Sequence, residues 1–131
     1  MLIMLFSTIE EAINKLSTFK EQLIQLKGKY DKINEALRAN ANIEEIIMKS
    51  GPQPSHRVII MTTIPYPINM HIAPHYAWLV NKISALNDNI SYIINEIDKV
   101  NNYLNNTKFR DASVAIIIDH ESKKTKLVIM P

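Results

Sequence analysis

The chain has 131 residues, with 15 Lys and Arg against 13 Asp and Glu, a formal charge of +2. That is one domain's length, enough for a core without staples, and too evenly charged for a dedicated duplex-DNA binder. Cysteine is absent and glycine occurs twice, at Gly28 and Gly51. These counts exclude disulfides, thiolate metal sites, a cysteine nucleophile and Gly-rich phosphate loops.

The chain opens with six apolar residues, Met1 to Phe6. With no basic stretch before them and no small-residue cleavage site before Glu10-Glu11, they read as a strand or helix lead-in, not a signal peptide. No run approaches the ~20 apolar residues of a membrane span.

Ser7 with Glu10, and Thr8 with Glu11, both have the spacing of a capping box, so a helix is predicted from residue 8. Its apolar positions are Ile9, Ile13, Leu16, Phe19, Leu23, Leu26, Tyr30, Ile33 and Leu37. Steps of three and four averaging 3.5 residues define a coiled-coil seam. Gly28 either costs ~1 kcal/mol inside a continuous helix or marks a turn. The phase kept from Leu23 to Leu37 favours one helix over 8–39. Asn42 and Glu45 suggest a separate short helix over 43–49, closed by Ser50-Gly51.

Residues 57–72 read as a hairpin or extended arm: β-branched from Arg57 to Ile64, alternating from Ile68 to Ile72, with Pro65-Tyr66-Pro67 as a turn or edge. A second helix over 75–105 follows, with Pro74 suited to a helix start. Its seam is Tyr76, Leu79, Ile83, Leu86, Ile90, Ile93, Ile97, Val100 and Leu104. Residues 113–130 read as a second hairpin. Val114, Ile116 and Ile118 form one face, and His120 to Lys124 form the turn.

The two helices have matched predicted lengths of ~48 and ~46 Å. They can pair as an antiparallel hairpin, which brings Met1–Phe6 beside the C-terminal hairpin as a third strand. Apolar residues off the seam, including Ile24, Val80, Ile94 and Tyr103, call for a second contact surface. The expected architecture is α+β, mainly α: two long antiparallel heptad helices with β-hairpin elements between them and at the C-terminus. Two chains would complete a four-helix arrangement about a twofold axis.

The sequence offers little reactive chemistry. His71 and His75 are four apart, but Pro74 between them argues against a helical metal pair. No serine has a nucleophile-elbow setting. The reading is therefore non-enzymatic, without cofactor or metal. The candidate interface residues are Tyr76, Trp78, Leu79, Ile83, Leu86, Ile90, Ile93 and Ile97. Lys27, Lys29 and Lys32 form a basic patch that could contact phosphates.

The Ile- and Asn-rich texture of a cysteine-free chain, as in Asn87-Asp-Asn-Ile-Ser-Tyr-Ile-Ile-Asn95, resembles small virion structural proteins of two-tailed, spindle-shaped viruses of hot-acid archaea. The resemblance implies a structural or assembly role in the virion or host cytoplasm, with the chain itself and other virion proteins as partners. The alternatives are a nucleic-acid-binding module and a prefoldin-like chaperone subunit. The 57–72 insert fits the prefoldin plan; the 113–130 hairpin does not.

Overall fold

The computed structural model describes residues 1–50, 57–60, 68–71 and 76–131, with side chains described for 1–40 and 76–131. Element order is β1 (Leu2–Phe6), α1 (Ile9–Ser50), β2 (Arg57–Ile60), β3 (Ile68–His71), α2 (Tyr76–Asn106), β4 (Ser113–Asp119) and β5 (Lys124–Met130). The architecture is α+β and mainly helical. Contacts divide the chain into two units. The first comprises Met1–Lys29 with Asn87–Pro131, and the second Tyr30–Leu86.

In the first unit, β1, β4 and β5 form an antiparallel sheet in the order β1-β4-β5. The N-terminal segment is thus the third strand, Leu2 opposite Ile118 and Phe6 opposite Val114. The β4–β5 hairpin runs from Ser113 opposite Met130 to Asp119 opposite Lys124. Its turn is organised by Asp119, whose Oδ1 accepts the amides of Glu121 at 3.1 Å and Ser122 at 3.3 Å. Lys123 closes the turn at φ 55°, a left-handed conformation that is costly for a side-chain-bearing residue. Its ammonium lies 4.2 Å from the Tyr92 ring centroid, a cation–π contact that offsets part of that cost.

Alternation in β4 decides the core. Val114, Ile116 and Ile118 are fully buried, together with Ile9 and Leu16 of α1 and Ile97 and Leu104 of α2. The start of α1 is fixed by Thr8, whose hydroxyl accepts the Glu11 amide at 3.1 Å. The Glu11 carboxylate reaches back to the Ser7 amide at 3.0 Å, so the later of the two sequence-predicted caps is the one used. Across the helices, Lys20 donates to Asp98 at 2.6 Å, tying α1 to α2.

In the second unit, the amide nitrogen of Asn34 donates to the Ser84 hydroxyl at 2.9 Å, again joining α1 to α2. β2 and β3 pair antiparallel, Arg57 opposite His71 and Ile60 opposite Ile68, in line with a hairpin over this region. The proline turn at 65–67, the rest of that arm, and Pro74 and His75 lie outside the described residues.

The structure corrects the reading of α1. The helix does not stop at 39 to restart at 43; it runs unbroken for 42 residues to Ser50. The stretch Ala39-Asn40-Ala41-Asn42 contains no Pro or Gly, and its alanines are the strongest helix formers, so the Asn42 cap never competes. Consequently the helices are not matched in length: ~63 Å for α1 against ~47 Å for the 31 residues of α2. Gly28 lies within the continuous helix, in open space.

Candidate interaction surfaces

The two heptad rows of each helix meet different fates. One row on α1 is Ile9, Leu16, Leu23, Tyr30 and Leu37, at strict seven-residue spacing. The first three are buried and the last two half-buried. The matching row on α2 is Tyr76, Ile83, Ile90, Ile97 and Leu104. Here the first two are half-buried and the last three buried. This row carries the packing within the chain. The other row is open for much of its length. Leu26 and Ile33 on α1, and Leu79 and Leu86 on α2, are exposed, one heptad apart on each helix.

The interface residues expected from sequence therefore separate. Ile90 and Ile97 are buried within the chain. A side chain already enclosed by its own fold has no area left to offer a partner. Tyr76, Ile83 and Ile93 are half-buried, while Trp78, Leu79 and Leu86 face outward. Lys82 sits 5.6 Å from the Trp78 ring centroid.

The basic patch also divides. At ~100° per residue, Lys29 and Lys32 lie ~60° apart around α1, whereas Lys27 points ~140–160° away from both. Lys29 and Lys32 are exposed, and Lys27 is half-buried. The helix does not gather the three ammonium groups on one side.

Glu96 was not singled out by the sequence reading. It is buried on α2, accepting hydrogen bonds from Lys99 at 2.5 Å and from the Thr125 hydroxyl of β5 at 2.7 Å. Those two bonds, Lys99 first, hold its carboxyl below the usual range, and Glu96 in turn raises Lys99. Its position three residues after Ile93 and one before Ile97 is the signal, because that spacing lies on the inward side of the helix. The pair forms the polar end of an open groove of about 480 Å³ walled by Val100, Tyr103, Leu127 and Ile129. A second open groove, about 510 Å³, runs along Leu2, Met4, Phe6 and Phe19. The two grooves flank the helices, one over β5 and one over β1.

Among the described residues, no three His, Cys, Asp or Glu side chains gather into a metal-binding group, and no helix is long and apolar enough to cross a membrane. No protein family, curated protein or solved structure matches the chain.

Proposed function

We propose that this chain is a structural or assembly protein that works by coiled-coil self-association, as a virion component of the class it resembles, and not by catalysis. The observation that supports the reading is the open heptad row: Leu26 and Ile33 on one helix, Leu79 and Leu86 on the other. A regular apolar row maintained at seven-residue spacing has no use in solvent. Packed against the same row of a second copy, it completes a four-helix arrangement.

Light scattering at micromolar concentration tests the proposal. The expected mass is a dimer or larger, reduced when Leu79 and Leu86 are both changed to Lys. A wild-type chain at its monomer mass of 15.0 kDa would refute it.

A further inference from the structure

An antiparallel sheet with one solvated face ordinarily alternates apolar and polar residues, whereas strands covered on both sides read as unbroken apolar runs. β1 is Leu-Ile-Met-Leu-Phe, and β4 is apolar without interruption from Val114 to Ile118. By sequence these are strands of a sheet buried on both faces. By structure only one face is covered, since Val114, Ile116 and Ile118 point into the core.

The other face is defined by the register. Ile3 lies opposite Ile117, which lies opposite Lys126; Leu5 lies opposite Ala115, which lies opposite Val128. Met1 is 71% exposed, Ile3 58%, Leu5 72%, Val128 45% and Met130 45%. At roughly 200 Å² per fully exposed large side chain, these five offer about 600 Å², at the upper limit for the largest apolar patch of a monomer. Two such faces together would bury about 1,200 Å², the threshold of a stable protein–protein interface.

We propose that the outer face of the β1-β4-β5 sheet is a second self-association surface, covered by the same face of another copy across a twofold axis. The face suits itself. Its β1 and β4 columns carry no charge between Ile3 and Leu5 or between Ala115 and Ile117, so like meets like without repulsion. The charged groups of this face are Asp119 at the end of β4 and Lys124 and Lys126 on the edge strand β5, where the exposed lysine stems can lie over apolar surface with the ammonium in water. Sheets packed this way sit ~10 Å apart as a sandwich. The inference rests on the assembly reading and extends it. A chain with two distinct twofold surfaces, one helical and one on the sheet, grows past a dimer into a closed ring or an open chain.

The test compares three chains by light scattering and circular dichroism: wild type, Leu5→Lys with Val128→Lys, and Leu79→Lys with Leu86→Lys. The expected result is a wild-type mass that falls at least twofold in the sheet-face variant, with its secondary structure unchanged. If that variant keeps the wild-type mass while the helix variant loses it, the sheet-face proposal is overturned and the helical reading stands. If only the sheet-face variant dissociates, the sheet-face proposal stands and the helical reading falls. A monomeric wild type overturns both, as does a monomer that co-floats with anionic vesicles. Because the chain lacks cysteine, Ala115→Cys provides a check independent of variant folding. A short bis-maleimide should join two copies through this central position, and a yield no higher than from Asn14→Cys, exposed on α1, would overturn the proposal.

Discussion

The same heptad pattern runs through both units, yet it produces a closed core in one and an open surface in the other. In the first unit, twelve apolar residues are buried, from Ile9 on α1 through Ile97 on α2 to Ile118 on β4. In the second, the buried member among the described residues is Asn34, and Ile33, Trp78, Leu79 and Leu86 are exposed. In the first unit the cover comes from the three-stranded sheet. A pair of helices alone can enclose one row of side chains between them; a third layer is needed to cover the next row. β4 supplies that layer in the first unit. Seam periodicity specifies which residues are available for burial and leaves open what buries them.

Substitutions sharpen this contrast. Ile97→Ala removes a side chain with no exposed surface and is expected to cost ~2–5 kcal/mol, while Leu79→Ala, already exposed, should cost under ~1 kcal/mol. Urea unfolding at low concentration, where chains do not associate, reads both. Equal losses would mean the two units are packed alike. Thr8→Ala deletes the cap that starts α1 and should destabilise by ~1 kcal/mol in the same assay.

Gly28→Ala works in the opposite direction. A methyl group there meets nothing within 4 Å, so the substitution should stabilise by up to ~1 kcal/mol through helix propensity. A loss would show that the helix needs glycine at this point for a reason other than space.

Acid should produce the gentlest change. Glu11, held down first by the Ser7 hydroxyl and then its amide, and Asp119, held down by the Ser122 hydroxyl and amide, join Glu96 in having lowered folded-state values. Groups shifted in this direction contribute stability above their unfolded pKa and lose it as pH falls through the folded one. The melting temperature should therefore be flat near neutrality and decline shallowly below about pH 4. A melting temperature that rises on acidification would contradict the assigned bonds.

Much of the fold is legible in the sequence because its signals are local and redundant. The seam of α2 steps without a break, the β4–β5 hairpin pairs β-branched strands around a polar turn, and the antiparallel helices force Met1–Phe6 to the sheet. What is not legible depends on partners distant in sequence. The split between buried Ile97 and exposed Leu79 is invisible to periodicity, since both occupy seam positions. Glu96 is a buried carboxylate because Thr125 arrives from β5, which nothing within α2 announces. The extension of α1 past Asn42 was obscured by a cap pattern that loses to a helix already under way, where propagation is cheaper than a new start.

In the proposed assembly the open heptad row of α2 is covered by another copy of the chain. Hydrogen–deuterium exchange over residues 76–86, measured from nanomolar to tens of micromolar protein, tests it most directly. Covering by a second copy predicts amide protection that rises with concentration in this segment while residues 90–104 stay unchanged. Protection independent of concentration would contradict the claim.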